Sequence, residues 1–337
     1  MKLATLDDGT RDGQLAVVSR DLKTAHLADA IAPTLRAALD DWAFIAPQLD
    51  NLYRLLNEGK AEGIARRPFD FDPARCLAPL PRAARHVQGA AYLNHLELER
   101  RAAGAAGAEL PPAWRDEALL RERAADGFLG PLQDIVLARE EWGVDFGPGL
   151  AIVSGDLAPG ATADAAHGQI RLLLLCNDIT LRNLLNESSN GWDWMAAQPA
   201  TAFAPVAVTP DELGESWRGG KADLPLRVSS NGNGVGQLEA GDDMAFTFPQ
   251  LLAQLCSTRG ISAGTIVGSG VVSNRAGKRR TPGYASIAEQ RWHEIVEGEE
   301  ARTPFMRVGD TVRIEMLDQA GKSLFGAIEQ TFKRPDA

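Results

Sequence analysis

The chain has little of what marks secreted, membrane-embedded or nucleic-acid-coating proteins. Its 337 residues include 3 cysteines, at positions 76, 176 and 256, odd in number and far apart. That spacing excludes a disulfide framework and a paired-cysteine metal site, and it points to buried thiols in a reducing compartment. No apolar run reaches the roughly 18 residues of a membrane helix. The segment Met1 to Asp8 carries two aspartates and no apolar core, so it does not read as a secretory signal. Positive charge is in short supply: 35 Lys and Arg face 45 Asp and Glu, a formal charge of −10. This balance excludes a general nucleic-acid surface. The one basic cluster, Lys278, Arg279 and Arg280, reads as a solvated turn. Internal repeats and low-complexity tails are also missing. The expectation is a cytoplasmic globular protein with neither a nucleic-acid nor a membrane partner.

What is there is ordinary in bulk, with 45% hydrophobic and 24% charged residues. Residues 1–75 read as a small N-terminal β-rich unit with helices. Its expected strands are 2–6 and 13–19, followed by helices over 31–39 and 44–57. The second helix is signalled by Ile45, Leu49, Leu52, Leu55 and Leu56 at helical spacing. Pro73, Pro79 and Pro81 punctuate the passage into a second unit, 76–337. There the pattern is mostly β, with strands expected over 149–153, 170–176, 224–229, 265–269 and 311–317. A helix is expected over 248–257, and a shorter one or a turn over 192–197. The whole reads as an α+β, β-rich fold. The stretch 94–106 reads as helical, and the Ala-, Gly- and Pro-rich, charged excursion from about 96 to 127 is expected to act as a lid. The run from Ser230 to Gly236 reads as a hairpin turn, because Asn-Gly favours one.

The chemistry-bearing segments follow in order. His95 lies in Tyr92-Leu-Asn-His-Leu-Glu97, and Asn177-Asp178-Ile-Thr-Leu-Arg182 follows an apolar strand. Gln198-Pro-Ala-Thr-Ala-Phe-Ala-Pro-Val-Ala-Val-Thr209 is irregular and Pro-bounded, and Gly268-Ser-Gly-Val-Val-Ser-Asn274 is a Gly-rich loop. Glu289 stands in apolar surroundings, and Gly309-Asp-Thr-Val-Arg-Ile-Glu315 enters a late strand. Together these segments resemble the fumarylacetoacetate hydrolase family over most of the chain. The resemblance implies a mixed β-roll beside a smaller N-terminal domain, a homodimer, and action on β-dicarbonyl acids, acylpyruvates and related 2-oxo acids. It also implies a divalent ion, Mg²⁺ or Ca²⁺, held by acidic residues. A His–Glu dyad would activate water, with a lysine and an arginine near the developing negative charge.

Residue by residue, the resemblance carries over unevenly. His95 falls on the catalytic histidine, Glu289 on the glutamate that orients it, and Arg182 on the motif arginine. Gln198, Ser269, Asn274 and Tyr284 fall where substrate would bind. Of the metal ligands only Asp178 is present. Gln88 stands at the first acidic position, Gly147 and Gly149 at the pair on the next strand, and Gln198 at the lysine. Hard divalent ions want several oxygen ligands with carboxylates supplying the charge, and one Asp with neutral amides is a poor site. Asp145, two residues before Gly147, has its own place in the family pattern, and Glu140, Glu141 and Asp156 are the other acids nearby. The Gly147-Pro148-Gly149 run is a poor strand interior, expected to be bent or bulged and to leave room for a bulkier substrate.

The remaining histidines, His26, His86, His167 and His293, show no ligand spacing and read as surface or satisfied polar residues; Trp192 and Trp194 read as packing residues. Three functions stay open at this point. The first is an enzyme for an enolisable keto or dicarbonyl substrate that uses the His95–Glu289 dyad without a cofactor. The second is a non-catalytic binding or structural homologue. The third is a metal-dependent C–C bond hydrolase with a rearranged site.

Overall fold

A computed structural model describes residues 1–63, 66–104, 109–185, 192–275, 283–298 and 300–336. Among these residues two large sheets carry the fold. The first runs, strand beside strand, through 69–70, 24–27, 14–18, 2–6, 207–208, 170–181, 148–154, 265–268, 85–89 and 120–123, with 200–203 and 144–145 also pairing to 170–181. The second is five-stranded: 233–239, 225–230, 311–316, 328–333 and 135–136. Most pairings are antiparallel. The exceptions are 265–268 with 85–89, and 328–333 with 135–136. Strands outnumber helices, as the β-rich pattern predicts.

The N-terminal strands extend the main sheet. Lys2 and Leu3 pair with Val208 and Ala207, which joins residues 1–27 to the body. The core is shared in the same way: Leu3, Leu15, Leu49 and Leu52 are buried in one cluster with Val153, Leu172, Phe203 and Ile266. The helix expected over 44–57 runs from Trp42 to Asn57 and buries Leu49, Leu52, Tyr53 and Leu56. The Asn-Gly hairpin forms as the sequence suggests: Asn231 and Gly232 both have positive φ, 51° and 74°, the requirement of a type I′ turn.

Three expectations are corrected. First, the strand expected over 170–176 continues to Leu181, so Asp178 lies within it rather than after it. The apolar run simply gives way to alternating residues without leaving the sheet. Second, the Gly147-Pro148-Gly149 run is irregular only at its start: the strand is interrupted at Phe146 and Gly147, where the Gly147 N–H donates to Asn177 Oδ1, and resumes at Pro148. Pro148 pairs with Asn177 and Gly149 with Cys176 in unbroken register, and the irregularity in this pairing lies at the far end, between Ile170 and Leu172. Third, the excursion 96–127 is not all lid. Leu120–Arg123 pairs antiparallel with Arg85–Gly89 as a sheet strand, on the edge that Arg85–Gly89 offers. The basic run 278–280 lies outside the described residues.

Candidate active site

The far end of the main sheet opens into a cavity of about 1020 Å³. Its wall is formed by the helix Leu93–Ala102, the strand Leu120–Arg123, the end of the long strand at Asp178 and Thr180 with Arg182 just beyond it, and the helix Ile287–Val296. Five arginines line it (100, 121, 123, 182 and 291) against Glu99, Glu122 and Asp178. That excess of positive charge in a chain of net charge −10 suits an anionic ligand.

His95 sits on the first turn of Leu93–Ala102, facing the cavity. Its ring meets the edge of Trp292 at 4.9 Å, and the Arg182 guanidinium lies 5.3 Å from the same indole. Nδ1 of His95 is buried with no hydrogen-bond partner. Desolvation, and to a lesser extent the charge of Arg182, push this imidazole down to about 3, so it is neutral at physiological pH.

Arg182 is held from behind by Asp145, whose Oδ2 accepts from its Nε at 2.9 Å. Asp145 also accepts from the N–H groups of Ile287 at 2.8 Å and Ala288 at 3.2 Å. Burial pushes this carboxyl up, while Arg182 and the two N–H groups pull it down. All three neighbours are donors, so the geometry requires the ionised form. One buried carboxylate thus anchors both the arginine and the N-terminus of the helix that carries Trp292. Asp145 is fully committed to this task and does not replace the missing strand carboxylates.

Glu289 is fully buried and does not line the cavity wall among the described residues. Its carboxylate accepts from Ser273 Oγ and from the N–H of Ala285. Ser273 in turn accepts from Asn94 Nδ2 at 2.7 Å, so a chain of hydrogen bonds joins Glu289 to the residue next to His95. Ser269 and Gln198 do line the cavity. Asn274 and Tyr284, expected at the substrate, do not line it. The Asn274 amide instead ties the backbone of Glu239 and Asp242, and the Tyr284 ring packs 4.9 Å from His293. His26 and His86 are buried against backbone carbonyls, and His167 stacks on Trp217, in keeping with their reading as satisfied residues.

The donors at the expected metal positions do not fit a divalent cation. Asp178 Oδ1 accepts from Thr201 Oγ1 at 2.8 Å and faces the Arg123 guanidinium at 3.5 Å, while Oδ2 is buried without a partner. The Gln88 amide is buried with neither end paired. Gly147 and Gly149 leave no room for acidic side chains or for extra substrate. A Cβ at 147 would lie 2.8 Å from the carbonyl oxygen of Asp178, and one at 149 would lie 2.6 Å from that of Gly270. The expected space is filled by backbone. Among the described residues no group of three His, Cys, Asp or Glu side chains is arranged for a metal. A single carboxylate with a guanidinium beside it lacks the negative charge that a hard ion demands.

Comparison with known proteins places this geometry. The profile of the fumarylacetoacetate (FAA) hydrolase C-terminal domain matches residues 87–333, and that of the fumarylacetoacetase N-terminal domain 2 matches residues 1–82. The chain belongs to the fumarylacetoacetate hydrolase family. A family relative, the oxaloacetate tautomerase of Bacillus subtilis (strain 168), is 28% identical over 152 residues, 44% of this chain and 48% of that protein. The chain thus matches about half the length of that curated relative. The family fold is shared with fumarylacetoacetate hydrolase from psychrophilic Exiguobacterium antarcticum, at TM-score 0.65 and 15% identity over 99% of this chain and 100% of the other. It is shared too with maleylpyruvate hydrolase from Sphingobium sp. SYK-6, solved with manganese(II) and pyruvate, at TM-score 0.62 and 13% identity over the full length of both. Family relatives of this kind are enzymes of keto acids.

Sequence reasoning missed Arg123, Asp145 in its clamping role, and Trp292. Arg123 had no local signal, because Leu120-Arg-Glu-Arg123 carries one apolar residue and becomes a strand by pairing with Arg85–Gly89. Trp292 had none, because its helix meets the cavity only through tertiary packing.

Proposed function

We propose that this protein is an enzyme that enolises a 2-oxo or β-dicarbonyl carboxylic acid, with His95 carrying the proton and without a divalent ion. The observation that carries the reading is His95 itself: a neutral imidazole with a free Nδ1, beside Arg182, on the wall of an arginine-rich cavity. The substrate carboxylate is drawn by the arginines. His95 takes a proton from the carbon next to the carbonyl. The C–H electron pair moves into the new C=C bond, the carbonyl oxygen becomes an enolate, and Arg182 stabilises that charge. Return of the proton to a different atom gives a tautomer or isomer. In a hydrolysis, His95 instead takes a proton from water, the hydroxide adds to the β-carbonyl, the C–C bond to the neighbouring carbon breaks with its electron pair leaving as the enolate, and His95 returns the proton to that carbon. Asn94, Ser273 and Glu289 position the helix that carries His95.

The site lacks the Lewis acid that a metal would supply, worth several kcal/mol, so slower turnover than in metal-dependent relatives is expected. The test is an ultraviolet assay of oxo acids and acylpyruvates, following loss or gain of the enol chromophore, with chelator-treated enzyme. Turnover that survives the chelator and disappears in His95→Asn supports the reading. Turnover that needs added Mg²⁺ or Mn²⁺, or that His95→Asn leaves intact, overturns it.

A further inference from the structure

The buried charges beneath the cavity do not balance in the manner of a metal site, and Arg123 accounts for the difference. Its side chain and that of Asp178 are each only 4% exposed. Nη1 donates to Gln198 Oε1 and stands 3.5 Å from Asp178 Oδ1, and Nη2 donates to the carbonyl of Ala200 at 3.2 Å. Gln198 Oε1 also accepts from Thr180 Oγ1 at 3.3 Å. The guanidinium is therefore fixed at both terminal nitrogens, and an arginine with a planar, prearranged fork is well suited to a buried ion pair. A lone carboxylate in such a place would be strongly disfavoured without a cation.

We infer that Arg123 is the resident counter-ion of Asp178, a cation built into the chain where a divalent ion would otherwise neutralise that carboxylate. The assignment rests on the metal-free reading above and deepens it. Four consequences follow from the geometry. The pair is neutral overall, so it needs no ion. The guanidinium repels any divalent cation approaching Asp178. Gln198 is neutral, so it accepts from Arg123 where a second cation would be repelled. Asp178 Oδ2 stays unpartnered and can accept only from a donor, which directs an enol or hydroxyl of the ligand toward this floor and its carboxylate toward the other arginines. Arg123 thus acts as a positioning residue.

The test is a double-mutant cycle on thermal stability with Arg123→Gln, Asp178→Asn and the pair, combined with guanidinium rescue. Each single variant is expected to melt well below the wild type, and the double variant to melt higher than the sum of the two losses allows. Low millimolar guanidinium ion is expected to raise the melting temperature of Arg123→Ala, and to do nothing for wild type or for Arg123→Ala combined with Asp178→Asn. Arg123→Lys, which keeps the charge, is expected to melt above Arg123→Gln, and it serves as the reference if the neutral variants do not fold. Additive losses, or rescue that ignores Asp178, would overturn the assignment while leaving the metal-free reading standing. Stoichiometric Mn²⁺ binding by wild type that is lost in Asp178→Asn would overturn both.

Discussion

His95 is a weak base by placement. Desolvation and Arg182 both disfavour its charged form, and an anionic substrate would supply the counter-charge that an imidazolium needs there. The imidazole should therefore become more basic when an enolate mimic such as oxalate binds, read as an upward shift in its titration by NMR; no shift with bound oxalate would separate His95 from the substrate. The depressed value also fixes a sign for stability. Between its ordinary value of 6.5 and about 3 the unfolded chain takes up a proton that folded His95 refuses, so stability is lost as pH falls through that window. Melting temperatures from pH 7 to 4 should fall less steeply in His95→Asn than in wild type; parallel curves would contradict this. At Gly149 the constraint is steric. Gly149→Ala places a methyl 2.6 Å from the Gly270 carbonyl, a backbone atom that cannot swing aside. A loss of about 1–3 kcal/mol in urea denaturation is expected from such overpacking, and a neutral result would mean the segment at Gly270 can move away from Gly149.

At the scale of elements, the active-site wall depends on one tie. Asp145 ends a short strand, Val144–Asp145, and holds both Arg182 and the first N–H groups of the helix Ile287–Val296. That helix is also capped by Ser286, whose side chain accepts from the N–H of Glu289. Asp145→Ala strands a buried guanidinium and two donors, so a loss of about 3–5 kcal/mol is expected in chemical denaturation, on the scale of breaking a buried pair. Turnover should fall with it, because Trp292 and Arg182 lose their fixed positions. Unchanged stability would show that the helix is held by its other contacts.

At the scale of the whole molecule, most strands were legible because their apolar patterns are set by burial in the sheets. Lys2–Leu6 and Thr265–Gly268 are examples. His95, Arg182 and Asp178 were legible because their motifs are local and ordered along the chain, and the family identity follows from the same motifs. What could not be read is what long-range packing decides. Leu120–Arg123 becomes a strand only because Arg85–Gly89 offers it an edge, and Arg123 reaches Asp178 only through that pairing. Gly147 and Gly149 look like vacated ligand positions in one dimension, but in three they are points where backbone meets backbone. The sequence shows which carboxylates the family positions lack, and only the fold shows that Arg123 stands beside Asp178.

Proton abstraction by His95 without a metal is what the proposed function stands on. Solvent exchange tests it most directly: chelator-treated protein is incubated in D₂O with oxaloacetate or another 2-oxo acid, and deuterium entering the carbon beside the carbonyl is followed by NMR. Exchange above the uncatalysed rate is expected for wild type, unaffected by chelator and lost in His95→Asn. Exchange that appears only with added Mn²⁺ or Mg²⁺, or that persists without His95, would contradict it.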